Sequence, residues 1–123
     1  MTINQAIARI DNLRDNSMTA DIKIMHLEAV DRQVYEEIIK GREGAEAVDS
    51  PTYNDNDGEK VLLVPSPYDM LYVYRLESEI CYTLQEIDRQ ANALTRYNEL
   101  MDAFARKYAR EHQALPHASV IYY

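Results

Sequence analysis

Residues 61 to 76 read Val61-Leu62-Leu63-Val64-Pro65-Ser66-Pro67-Tyr68-Asp69-Met70-Leu71-Tyr72-Val73-Tyr74-Arg75-Leu76. The apolar run ends at Pro65. Ser66 then stands as an N-cap, Pro67 at the first helical position and Asp69 in the first turn, a combination that predicts the start of a helix. Helical character continues to about His112, with Val73, Ile80, Ile87, Leu94, Met101 and Tyr108 at heptad spacing and Leu84, Ala91 and Ala105 between them. One unbroken helix of about 45 residues would be roughly 70 Å long, out of scale with a chain of 123 residues. A turn or kink is therefore expected in residues 88–95, at the polar stretch Asp88-Arg89-Gln90-Ala91-Asn92.

The start of this helix carries more apolar surface than one face can use. Tyr68, Met70, Leu71, Tyr72, Val73, Tyr74 and Leu76 place apolar groups nearly all the way round it, so the helix is either central in a bundle or part of a subunit contact. Ten Tyr and no Trp suit a protein rich in surfaces that are apolar in body and wet at the hydroxyl. Pro67, Tyr68, Leu71, Tyr72, Tyr74 and Leu76 are the candidates for packing or subunit contacts. Replacing Tyr72 by Asp is expected to block assembly and leave a helical monomer.

Upstream, Thr2-Ile3-Asn4-Gln5 is a capping-box pattern, and Ile3, Ala6, Ile7, Ile10 and Leu13 form the apolar stripe of a short first helix. Asp15-Asn16-Ser17 ends it. Thr19 caps a second helix that runs to about Lys40, before Gly41. Its core stripe is Ile24, Leu27, Val30 or Asp31, Val34, Ile38 and Ile39, with Lys23, Glu28, Arg32, Glu36 and Lys40 solvated. From residue 42 to 65 the helical period disappears. Asp57-Gly58 is a turn signal between Thr52-Tyr53 and the run Val61, Leu62, Leu63 and Val64, which predicts a small β-hairpin inserted between helices two and three. The tail, residues 113–123, ends in Val120, Ile121, Tyr122 and Tyr123, a β-prone apolar segment suited to docking on a neighbour or adding a strand to the hairpin. The expected fold is mainly α, a single bundle of about four helices with one hairpin.

Composition narrows the function. The chain has 46% hydrophobic and 28% charged residues, as ordinary globular domains do, and a net charge of −8 from 13 Lys and Arg against 21 Asp and Glu. That is the wrong sign for gripping phosphates, which argues against a DNA-binding regulator. The acidity is distributed as −2, −4 and −2 over residues 1–40, 41–66 and 67–123. Cys81 is the single cysteine, so no intrachain disulfide forms and a reducing compartment is expected. No apolar run spans a bilayer and the polar Thr2, Asn4 and Gln5 do not open a signal peptide, so a cytoplasmic protein without membrane contact is expected.

Chemistry is sparse. His26, His112 and His117 stand at no metal-ligand spacing, and Cys81 lies in an apolar helix as a structural thiol. Asp55-Asn56-Asp57-Gly58-Glu59 has an EF-hand look, but the first and twelfth loop positions would be Tyr53 and Val64, neither a carboxylate. Glu36 and Glu37, like Glu77 and Glu79, point to different faces and cannot share a proton. No catalytic, metal or cofactor residues are assigned and no enzyme is expected. A small acidic helical module that binds one protein partner remains the alternative to a structural protein.

At Asp57-Gly58-Glu59, at Leu62 through Tyr74, at Ile10-Asp11-Asn12-Leu13-Arg14 with Asn16, at Lys23-Ile24 through Leu27 and Asp31, and at Arg96-Tyr97-Asn98, the chain resembles the head–tail connector or adaptor proteins of tailed phages and prophages. The resemblance covers most of residues 3 to 108, and Cys81 departs from it, standing where a polar or small residue is expected. It implies a homo-oligomeric ring, commonly of about twelve copies, that docks on the portal protein and meets downstream head-completion or tail proteins. DNA would pass through the channel without specific contact. The implied location is the bacterial host's cytoplasm during assembly and the virion's head–tail junction. An acidic wall suits such a conduit, since a basic one would hold the phosphates.

Overall fold

Thr2 caps the first helix as its pattern requires: the Gln5 amide donates to Thr2 Oγ1 at 3.1 Å, and the Thr2 amide to Gln5 Oε1 at 2.9 Å. The computed structural model is described over residues 1–115, and helix α1 spans Ile3–Leu13, with Ile3, Ala6 and Ile10 buried and Leu13 exposed. Helix α2, Ala20–Val34, buries Ile24, Leu27, Val30, Asp31 and Val34 and passes into a π-helical turn over Tyr35–Ile39. Lys23 departs from the expected solvated face. It is 4% exposed because its ammonium reaches back to donate to Asp11 on α1 at 2.6 Å.

Helix α3 spans Met70–Thr83 and helix α4 Ile87–Glu111. They pack against each other more extensively than any other pair, antiparallel, with Arg75 over the Tyr97 ring, Arg96 over Tyr74 and Tyr68 against Phe104. The break between them falls at Leu84–Glu86, earlier than the expected 88–95. The Glu86 amide donates to the Cys81 carbonyl at 2.9 Å and the Gln85 amide to that of Tyr82 at 3.1 Å, a Schellman closure in which Gln85 takes the left-handed position at φ 58°. The heptad does not survive the corner. Val73 and Ile80 are buried, Ile87 is 75% exposed, and α4 turns Ala93, Tyr97 and Phe104 inward with Leu100, Met101 and Tyr108 packed beside them.

Ser66 and Pro67 do not open α3. The chain turns through a cis Ser66–Pro67 peptide, the Tyr68 amide donates to the Pro65 carbonyl, and the helix begins after Asp69.

The β-hairpin does not form. Among the described residues no strand ladder exists, only isolated antiparallel bridges between Thr2 and Val61 and between Arg42 and Ala114, and a short 3-10 turn over Ala45–Ala47. The donors of the Val61–Val64 run go elsewhere. Leu62 donates to the Met1 carbonyl at 2.9 Å, Leu63 to the Asp31 carboxylate at 3.0 Å and Val64 to the Tyr72 hydroxyl at 2.8 Å. The Asp57-Gly58 turn meets the start of α1 instead of a sister strand, since the Gly58 and Lys60 carbonyls accept from the Asn4 and Ile3 amides. A Cβ at Gly58 would lie 2.3 Å from the Asn4 side-chain oxygen, so a larger residue there would have to push that exposed side chain aside.

Candidate assembly surface

The candidates on and before α3 divide by burial. Leu71, Tyr72 and Leu76 are fully buried, as is Val64, and Leu62 is 3% exposed, so these five belong to the core of the chain itself. Tyr68, Tyr74 and Leu63 are half-buried, Pro67 is exposed and Val61 is 68% exposed. Helix α3 is apolar all round because α1, α2 and α4 pack against it. The candidates Val120, Ile121, Tyr122 and Tyr123 lie outside the described residues.

Tyr72 holds the centre of a buried polar network. Its hydroxyl donates to Asp31 Oδ1 while accepting from the Val64 amide, and Tyr53 donates to Asp31 Oδ2. Asp31 also accepts from the Leu63 amide, so three donors meet one buried carboxyl group. Burial pushes the Asp31 carboxyl above its ordinary value, against the pull of the hydrogen bonds from Tyr53 and Tyr72. Burial and the neighbouring Asp31 charge raise Tyr53 and Tyr72 as well, which keeps both phenols neutral donors. An acidic residue on the core stripe of α2 was the sequence signal for this network. Its work is to fasten the 52–64 loop to α2 and α3, since Asp31 is closed to solvent.

The surface left open lies at the other end of the bundle, where the α1–α2 linker, the start of α2 and the end of α3 meet. A cleft of about 480 Å³ runs between them, walled by Met18, Ile22, Ile80, Tyr82 and Leu84 with His26 and Glu79 at its edge. Ile22 is 41%, Tyr82 67% and Leu84 53% exposed; Met25, one turn from Ile22, is 54% and Ile87, just past the corner, 75%. Large apolar groups gathered at one end mark an interaction surface more often than scattered ones do. Arg14 in the linker forms an ion pair with Glu86 at the corner and donates to Cys81 Sγ at 3.3 Å, tying the α1–α2 connection to the α3–α4 turn. The sequence contained one signal for this surface: Ile22 and Met25 are apolar residues off the buried stripe of α2.

Among the described residues reactive groups do not converge. Cys81 is buried, and burial raises its thiol above the ordinary value. His112 stacks on Tyr108 with ring centroids 3.9 Å apart. Among the described residues no group of three or more His, Cys, Asp or Glu side chains is placed to hold a metal ion, and no helix is long and apolar enough to cross a membrane. No family model matches the chain, and no curated protein or solved structure matches it either.

Proposed function

We propose that this chain is a structural protein of a tailed phage or prophage, a head–tail connector that forms a ring on the portal and extends the DNA channel toward the tail. The observation that carries the reading is the set of exposed apolar side chains Ile22, Met25, Tyr82, Leu84 and Ile87 at one end of a bundle whose core is otherwise complete. A surface of that kind exists to be covered by protein. The resemblance over Leu62 to Tyr74 supplies the phage assignment, and the net charge of −8 suits a wall past which DNA slides. Assembly is the whole of the mechanism; no bond is made or broken. Head-to-tail rings need two different faces on each copy, one of which this end provides.

A second reading, a small acidic module binding one foreign partner, is favoured by the cleft itself, which has room for a short apolar segment. Electron microscopy of the purified chain separates the two. Closed annular particles with a central opening are the expected result. Particles no larger than a single copy at every concentration would remove the connector reading and favour the module.

A further inference from the structure

We infer that the cleft between the start of α2 and the end of α3 receives the Val120-Ile121-Tyr122-Tyr123 segment of a second copy of this chain, so that copies join head to tail. The inference rests on the connector reading and names the contact by which its subunits hold one another. The cleft offers apolar walls at Ile22, Ile80, Tyr82 and Leu84, and the 116–123 segment carries no Asp, Glu, Lys or Arg in a chain of net charge −8. An uncharged apolar segment is the part of one copy that approaches another acidic copy without repulsion.

The anchor of residues 113–115 decides which copy is served. The Glu43 amide donates to the Gln113 carbonyl at 2.9 Å and the Leu115 amide to that of Gly41 at 2.9 Å, which holds the chain beside the far end of α2 and its π turn. Ile22, in the cleft, lies 19 residues before Gly41 on a nearly continuous helical run, roughly 28 Å along the axis at about 1.5 Å per residue. Val120 lies five residues beyond Leu115, a reach of at most roughly 18 Å when fully extended. Val120 therefore falls well short of Ile22 in its own copy, and the same segment of a neighbour meets no such limit. A segment anchored beside Gly41 and a cleft at Ile22 are two different patches, each used once. That is a heterologous contact, which closes into a ring when the rotation permits.

Two full-length variants test this by sedimentation velocity, Ile121→Asp in the tail and Leu84→Asp at the half-exposed cleft wall, with circular dichroism as the check that both keep their helices. Wild-type chain is expected to assemble, and each variant alone to sediment as a monomer. An equimolar mixture at about 100 μM is expected to stop at one-to-one pairs, because the Leu84→Asp copy still donates a tail and the Ile121→Asp copy still offers a cleft. Ile121→Asp assembling as wild type does, Leu84→Asp assembling as wild type does, or a mixture that forms no pairs overturns the inference and leaves the connector reading standing. Filaments or dimers of wild type that both variants abolish keep the inference and remove the ring. A wild-type chain that is monomeric throughout overturns both and leaves the cleft to a foreign partner.

Discussion

Two buried tyrosines in this bundle carry opposite expectations. Tyr72 both donates and accepts in the Asp31 network, so Tyr72→Phe strands the Val64 amide and removes a donor from a buried carboxyl group, at about 1–3 kcal/mol. The Tyr97 hydroxyl is buried without a hydrogen-bond partner among the described residues, so Tyr97→Phe is expected to be neutral or stabilising by roughly 1 kcal/mol. Urea denaturation of the two variants measures both. Tyr72→Asp, which the sequence presents as a blocked monomer, would set a second carboxylate against Asp31 in the core and is expected to unfold the chain. Asp31 also links stability to pH. Its folded-state pKa lies above the ordinary value of 3.8, so its contribution is fully present below 3.8 and is lost as pH rises through the raised value. Measured against Asp31→Asn, the wild-type stability advantage should therefore fall as pH increases from 3.8 toward the raised value and level off above it; an advantage that grows with pH over that window would contradict the placement. That a core-stripe position could hold Asp31 was legible in the sequence. Its partners were not, because Tyr53, Leu63 and Tyr72 come to it from 22, 32 and 41 residues away.

At the scale of elements, local chemistry foretold what local contacts decide. The capping box of α1, the buried stripes of α1 and α2 and the helical character of 70–111 all follow from residues within a turn or two of each other. The hairpin failed for the opposite reason. Val61 to Val64 has strand composition, but the amides of Leu62, Leu63 and Val64 find Met1, Asp31 and Tyr72, so tertiary partners replace the sister strand. The α3–α4 corner was misplaced because its left-handed position is occupied by Gln85, where glycine would have marked it. Gln85→Val is accordingly expected to cost about 1–2 kcal/mol in thermal or urea unfolding, since a β-branched residue tolerates positive φ poorly, while Gln85→Gly is expected to be neutral or mildly stabilising. Equal stability of the Val and Gly variants would show that the corner relaxes to another conformation.

For the whole molecule, the core is closed and the apolar end is not. Leu71, Tyr72 and Leu76, which the sequence offered equally to packing or to a partner, are consumed in holding α3 among three other helices. The exposed apolar surface is built instead by residues whose sequence positions are those of ordinary amphipathic helices: Ile22 and Met25 off the α2 stripe, and Leu84 and Ile87 at a corner that the heptad spacing runs straight through. Folding brings Ile22 and Leu84 to one cleft. The assembly account therefore stands on surface chemistry, and the number of copies that close on that surface is its most direct test. Native mass spectrometry of the purified full chain from about 1 to 100 μM reads that number without a partner present. The account predicts a single closed species near twelve copies. A chain that stays monomeric across the whole range would contradict it.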